Sequence, residues 1–348
     1  MQNDKLEIII PNSFSGHRAD SAIQALVSDF SRVKIQKWIK EGHILSNNRF
    51  IAPKDKLVGG EIISIQIQSD EKSNQFIPEN IPINIEYEDE DIMVINKPAG
   101  LVVHPGAGNW SGTLLNAIIF HRPNNSKLAR CGIVHRLDKN TSGLMVVAKN
   151  ELSQINLVKQ LQSKRVYREY RAVVWGQLSK KDTINEPIGR HPSIRIKMAV
   201  NRINGKESIT HYEVLEKFGV CSYLRCILET GRTHQIRVHM MHNLSPIVGD
   251  PTYGLKKIIP IREVSNKLRN GTVNFPRQAL HAISLGLIHP SSNKELKWDI
   301  NLPEDMKTLL NLVRNESPLT KQEINFKESE FYYGEKYGEG EDLELYDE

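Results

Sequence analysis

Cysteine is scarce in this chain of 348 residues: Cys131, Cys221 and Cys226 are all it has, with no CxxC pair. That excludes a disulfide scaffold and a cysteine-ligated zinc site. Cys221 and Cys226 lie five apart in an expected strand and so point to opposite faces, as buried thiols. No apolar run is long enough for a membrane span. The start, Met1-Gln2-Asn3-Asp4-Lys5-Leu6-Glu7, lacks the basic-then-apolar order of a secretory signal, so a cytoplasmic location is expected. Twelve histidines occur without HExxH spacing, and Gly106-Ala107-Gly108 opens neither GxGxxG nor GK[ST]. Neither a metal centre nor a nucleotide phosphate loop is therefore expected. No repeat at solenoid spacing is present.

What the chain does have is a divided charge. The net +5 hides a C-terminal stretch, residues 321–348, with ten acidic residues against three lysines, so residues 1–320 carry +12. A basic body suits a polyanionic partner such as nucleic acid, although +12 over that length also serves solubility alone. The length fits two domains and a tail, and 39% hydrophobic residues suffice for a folded enzyme.

The pattern predicts a small N-terminal module within residues 1–68. Its first helix runs from about Ala19 to Ser28. A second, capped by Ser31, spans Arg32 to Glu41 and ends at Gly42, with Ile35, Trp38 and Ile39 as its apolar stripe and Arg32, Lys34, Lys37 and Lys40 on the remaining surface. Ile63, Ile65 and Ile67 alternate with polar residues as in a half-buried strand. Residues 69–80 read as a polar linker. Residues 81–318 form an α+β domain, rich in strands and with helices near Thr113–His121 and Glu151–Lys164. The latter carries Leu152, Ile155, Val158 and Leu161 at helical spacing behind Asn150 as cap. The acidic segment 319–348 has no apolar periodicity, and disorder or loose docking is expected of it.

The most informative stretch is His135-Arg136-Leu137-Asp138-Lys139-Asn140-Thr141-Ser142-Gly143-Leu144, which sets a carboxylate beside an arginine on a loop between apolar strands. An Asp before such a turn commonly does no more than cap it. Taken whole, the decapeptide resembles the catalytic signature of the pseudouridine synthases related to the ribosomal large-subunit enzymes. Further matches follow in order: Asn96-Lys97-Pro98-Ala99-Gly100, Glu169-Tyr170-Arg171-Ala172, the run Glu229 to His239, and Gln278-Ala279-Leu280-His281-Ala282. Val102 to Asn109, Arg190-His191-Pro192 and the N-terminal module are most similar to the synthase D branch. The module itself resembles an S4-like RNA-binding domain, with Arg32, Lys34, Lys37 and Lys40 as its RNA contacts.

The resemblance implies a mixed, largely antiparallel sheet with an RNA cleft across it, and a monomer acting without cofactor or metal on large-subunit ribosomal RNA or an assembling large subunit. It implies Asp138 as nucleophile and Tyr170 as the residue that stacks on the flipped base and acts as general base at C5. Arg232 is the arginine expected to contact Asp138, with phosphate binding or a surface salt bridge as the other readings. Arg136 takes the space vacated by the base, or meets phosphate. Leu280 walls the uracil, while His135, Thr141, Arg237 and His281 contact substrate, and Arg277 joins His281 at backbone phosphates. The same motifs account for His234 and His239, which otherwise, with His242, form the densest histidine group. Two rivals remain: a non-catalytic ribosome-assembly factor that binds the same RNA, and a glycosylase, which needs a second acid or an activated water.

Overall fold

The computed structural model describes residues 5–27, 30, 32–67, 76–106, 109–194, 196–254 and 265–316. The expected tail, most of the expected linker and Ser31 lie outside the described residues. The chain divides into two compact units at Gln75/Phe76.

In the first unit β1 (Lys5–Ile9) leads to α1 (Ala19–Leu26), α2 (Arg32–Lys40), β2 (Ile44–Ser46), β3 (Arg49–Phe50) and β4 (Ile62–Gln66). The strands form an antiparallel sheet in the order β1-β4-β2-β3. Ile35, Trp38 and Ile39 of α2 are buried with Ile23, Ile44 and Ile63, as their spacing predicts. The helix stops at Gly42, whose φ of +77° turns the chain. Buried Asp20 on α1 accepts from Arg18, from Arg32 at 3.1 Å and from Gln36, and this clasps α1 to α2. The Arg18 hydrogen bond is the foremost of the contacts that hold the Asp20 carboxyl far below its ordinary range, against the opposing pull of burial. Of the four cations predicted to face RNA, then, Arg32 is engaged with Asp20, and Lys34 lies over the Phe30 and Trp38 rings at 5.3 and 4.9 Å. Lys37 and Lys40 are exposed.

The second unit opens earlier than the sequence predicts. Asn116 Nδ2 donates to the Ile77 carbonyl at 2.8 Å, and Gly112 N–H donates to Glu79 Oε1 at 2.9 Å. Residues 76–80 are thus docked on the unit and are no free linker. There follow β5 (Asn84–Glu88), β6 (Ile92–Lys97), α3 (Leu114–His121), β7 (Ser142–Ala148), α4 (Glu151–Gln162), β8 (Tyr167–Trp175), β9 (Lys181–Asn185), β10 (Ile188–Arg190), β11 (Met198–Val200), β12 (Ile209–Lys217), β13 (Cys221–Leu228), α5 (Gln235–His242), α6 (Asn266–Val273), β14 (Leu280–Ile288), β15 (Glu295–Asp299) and α7 (Glu304–Glu316). Nine strands make one sheet, β5-β6-β7-β14-β8-β13-β12-β9, with β15 on β14, while β10 and β11 form a separate hairpin. This is the mixed, largely antiparallel α+β architecture expected.

The single parallel pairing among the described strands of that sheet joins β7 to β14 through His281 with Ser142 and Ala282 with Gly143. It requires glycine: Gly143 has φ +114°, and a Cβ there would lie 2.2 Å from the Ala282 carbonyl oxygen. The pairing sets the loop before β7 beside the start of β14.

The α4 face differs from expectation. Asn150 caps it, accepting from Ser153 N–H at 2.9 Å, but Leu152 and Ile155 are exposed while Ser153, Leu157 and Gln160 are buried. Polar anchoring overrides the apolar stripe, because Ser153 Oγ donates to Asp91 and Gln160 exchanges hydrogen bonds with the Ile288 backbone. The three cysteines are buried free thiols, and burial pushes that of Cys131 up to about 11.

Candidate active site

Asp138 sits in the loop entering β7, on the wall of a cleft of about 900 Å³ that Arg136, Tyr170, Arg232, His234, Arg237 and Leu280 also line. The loop is held from behind. Lys97, at the end of β6 and fully buried, donates from Nζ to the carbonyls of Pro98 (2.8 Å), Leu101 (2.9 Å) and Lys139 (3.0 Å). Gln278 Nε2 donates to Thr141 Oγ1 at 3.0 Å. Burial brings the Lys97 ammonium down to about 7, with Asp138 acting against this and Arg277 adding to it. Three convergent carbonyls explain how a lysine is tolerated there.

The arginine on Asp138 is Arg237, not Arg232. Arg237, in the first turn of α5, donates from one terminal nitrogen to Asp138 Oδ2 at 2.9 Å, and from Nε and the other terminal nitrogen to Asp250 at 2.7 and 2.9 Å. Its guanidinium lies over the Tyr253 ring at 5.0 Å. Burial alone would lower the Arg237 pKa, but Asp250 and Asp138 together raise it. Arg232, five residues earlier, is exposed and donates from Nε to the Glu207 carbonyl at 3.0 Å. The Gln235 side chain accounts for the difference. Its Oε1 accepts from Arg232 N–H at 3.0 Å and from Thr230 Oγ1 at 2.8 Å, fixing the turn before α5 so that Arg232 lies outside it and Arg237 inside.

Tyr170 lies in the middle of β8, buried except where it faces the cleft, with Leu280 at the start of β14 nearby as a second wall. Burial raises the Tyr170 hydroxyl pKa, Arg168 opposes this and Asp138 adds to it, which disfavours a resting phenolate. Arg136 is exposed at the cleft.

Other expected contacts are engaged inside the protein. His135 Nε2 accepts from Val146 N–H at 2.9 Å, and burial, aided by Arg168, lowers its pKa to about 3, so the ring is a neutral strand anchor. His281 is buried with Nδ1 on Ser142 Oγ at 2.8 Å, and burial brings it to about 4. Arg277 is buried against Asp305, at 2.6 Å from Nε. Neither His281 nor Arg277 can meet phosphate. Thr141 lines the cleft, but its hydroxyl already accepts from Gln278.

His239 has both ring nitrogens engaged, with Thr210 Oγ1 and the Glu186 carbonyl. Asp89, Asp91 and His289 could in principle hold a cation. Asp89 Oδ1, however, accepts from Asp91 and Ile92 N–H at 2.8 Å, and Oδ2 contacts Tyr87 Oη and His289 Nε2, the arrangement of a closed turn. Lys97, Asp250, Gln235 and Tyr253 were not singled out in the sequence. Lys97 and Gln235 lie inside quoted motifs, whereas Asp250 and Tyr253 follow α5 without any local signature.

A family model described as RNA pseudouridylate synthase matches residues 91–242. A protein of Neisseria meningitidis serogroup A, "Ribosomal large subunit pseudouridine synthase D", is 43% identical over 97% of this chain and 89% of its own length. The protein of that name from Escherichia coli strain K12 is 44% identical over 93% of this chain and 99% of its own. The solved structure "Human RNA Pseudouridylate Synthase Domain Containing 1" superposes with TM-score 0.50 at 26% identity, covering 67% of this chain and 89% of that one.

Proposed function

Because the chain belongs to the RNA pseudouridylate synthase family, whose members isomerise uridine to pseudouridine, we propose that its nucleophile is Asp138 and its substrate large-subunit ribosomal RNA. The reaction breaks the bond from ribose C1′ to uracil N1 and forms one from C1′ to C5. The proton on C5 is lost and one is gained at N1, so nothing is oxidised and no outside group is transferred. It needs a carboxylate at the sugar-base junction and a base to take the C5 proton, the role proposed for Tyr170.

The observation that carries this reading is Asp138 in the cleft with Oδ2 on Arg237 at 2.9 Å. The planar guanidinium, itself fixed on Asp250, holds the Asp138 carboxylate in one orientation at the cleft wall. Two other carboxylates line the cleft and both are occupied: Glu207 and Glu229 pair with Lys164 at 2.9 and 3.3 Å, and Glu229 also with His211. A glycosylase that works through a second acid would need one of them free, and one that works through an activated water would release free uracil. The uracil would leave its stack, at a cost of a few kcal/mol, to lie between Tyr170 and Leu280, with Arg136 at the vacated position. The N-terminal unit, read as S4-like, would hold neighbouring RNA through Lys37 and Lys40.

Asp138→Asn should abolish isomerisation while RNA affinity stays within about a few-fold, since shape and phosphate contacts survive. Turnover by the pure variant would rule out this nucleophile. The finer substrate proposed is the large-subunit hairpin that reaches toward the small subunit. Mapping pseudouridines by carbodiimide-blocked primer extension in cells lacking the protein tests it. Marks lost there support the proposal, and marks lost only elsewhere refute it.

A further inference from the structure

His234 lines the cleft close to Asp138, and the proposed reaction leaves it without a role. Its backbone is left-handed, with φ +58° and ψ +22°, at the residue before α5, and its side chain makes no capping hydrogen bond. A non-glycine residue held in that region costs on the order of 1 kcal/mol and persists where its surroundings over-determine it. Here Gln235 does so: besides its contacts to Arg232 and Thr230, its Nε2 donates to the Ile209 carbonyl at 3.0 Å and to Thr210 Oγ1 at 3.1 Å. The result aims the His234 ring at Asp138, with Nε2 3.9 Å from Oδ1, the carboxylate oxygen that Arg237 leaves open.

The tautomer follows from the partner of Nδ1. Tyr253 Oη accepts from Met198 N–H at 2.9 Å and lies 2.8 Å from His234 Nδ1. Met198 N–H fills one of the two lone pairs on Oη, and His234 Nδ1 is the one hydrogen-bond partner among the described residues that can take the hydrogen of this buried hydroxyl, so the hydroxyl is assigned as donor to Nδ1. Nδ1 is then an acceptor, and the ring proton sits on Nε2, facing Asp138. Burial lowers the His234 pKa, Arg237 and Arg136 working in the same direction and Asp138 and Asp250 against it, which favours the neutral ring. The cleft therefore presents a fixed N–H donor beside a fixed carboxylate acceptor. Their separation is too long for a direct hydrogen bond and fits one hydroxyl oxygen bonded to both at about 2.8 Å.

We propose that His234 Nε2 and Asp138 Oδ1 together read the 2′-hydroxyl of the target ribose. In a uridine within an RNA strand the base offers N3–H, which only donates, and O2 and O4, which only accept. The 3′ and 5′ oxygens are esterified. The 2′-hydroxyl alone accepts and donates at once, and it is adjacent to C1′. Such a contact makes the site require RNA and fixes the ribose relative to the nucleophile. The inference rests on Asp138 acting at the sugar-base junction.

The test is single-turnover isomerisation of an RNA hairpin carrying either uridine or 2′-deoxyuridine at the target position. Wild type should be slowed about tenfold or more by the missing hydroxyl. His234→Phe should be slow on the ribose substrate and lose less than about threefold further on the deoxy one. His234→Gln retains an amide donor and should recover part of the discrimination. Tyr253→Phe, which frees the ring to change tautomer, should fall between these. If His234→Phe discriminates as strongly as wild type, or wild type does not discriminate, the gap holds water alone and the proposal fails. If the Phe variant does not fold, the Gln and Tyr253→Phe variants make the same comparison. An active Asp138→Asn enzyme would instead refute the underlying assignment, whereas an inactive one beside a fully discriminating His234→Phe would refute only the hydroxyl contact.

Discussion

Arg237 holds two carboxylates with one planar group, and a lysine could not, having a single point charge on a flexible stem. Arg237→Lys should therefore lower kcat by on the order of 100-fold while the fold persists. Arg232→Gln should leave kcat within about a few-fold, because Arg232 donates to the Glu207 carbonyl and not to Asp138. Equal losses in both variants would overturn the assignment of Asp138's partner. The motif around Thr230-Gly231-Arg232-Thr233-His234-Gln235-Ile236-Arg237 made both arginines visible in the sequence, but choosing between them depends on where α5 begins. That is set by a left-handed histidine and a glutamine whose four hydrogen bonds no spacing rule reveals. His281 supports a pH prediction. Its folded pKa of about 4 lies below the ordinary 6.5, so between those values the unfolded chain binds a proton that the folded one refuses. Stability should be unaffected by this group above about pH 6.5 and fall as pH drops toward 4, by up to about 3 kcal/mol. In urea titrations at pH 7.5 and 4.5, His281→Asn should lose less stability between the two than wild type, and an equal loss would exclude His281 as the acid-sensitive group.

Among elements, those with strong caps and clear periods were legible. α2 with its Ile35, Trp38 and Ile39 stripe and α4 behind Asn150 both occur where the pattern places them. The buried face of α4 was not legible, because Ser153 and Gln160 face inward to satisfy Asp91 and the Ile288 backbone. Periodicity counts apolar residues and is blind to buried polar anchors of that kind. The β7–β14 pairing was also invisible, since parallel partners lie far apart in sequence, yet it sets Asp138 near Leu280. Gly143→Ala should break it, as the added Cβ would overlap the Ala282 carbonyl at a left-handed φ. The expected outcome is a thermal midpoint lowered by several degrees, with activity lost even where the protein stays folded. An unchanged midpoint would show that the pairing shifts to accommodate the methyl group.

At the level of the whole molecule, each unit has its own core, the first around Ile23, Trp38 and Ile63 and the second on the large sheet. The division of labour proposed for them places electrostatic anchoring in the first and chemistry in the second. Arg32 is tied to Asp20 and Lys34 lies over two rings, while Lys37 and Lys40 are exposed on the same helix. Changing both to Gln should lower the slope of log affinity against log salt by about 1 to 2, with kcat at saturating RNA unchanged. A slope identical to wild type would remove the first unit from RNA binding.

The seam between β7 and β14 consists of two residue pairs, whereas six join β6 to β7 and six join β14 to β8. In mechanical language the sheet is a plate with a crease. Its halves are laced by six pairs on either side, and the lacing is sparsest along the line where Asp138 stands on one side and Leu280 on the other. Side-chain rivets cross that line, Gln278 to Thr141 and Arg277 to the Asn140 carbonyl, and both grip the loop that carries Asp138. With so few backbone pairs along the crease, those two rivets are what tie the loop bearing Asp138 to the β14 half of the plate.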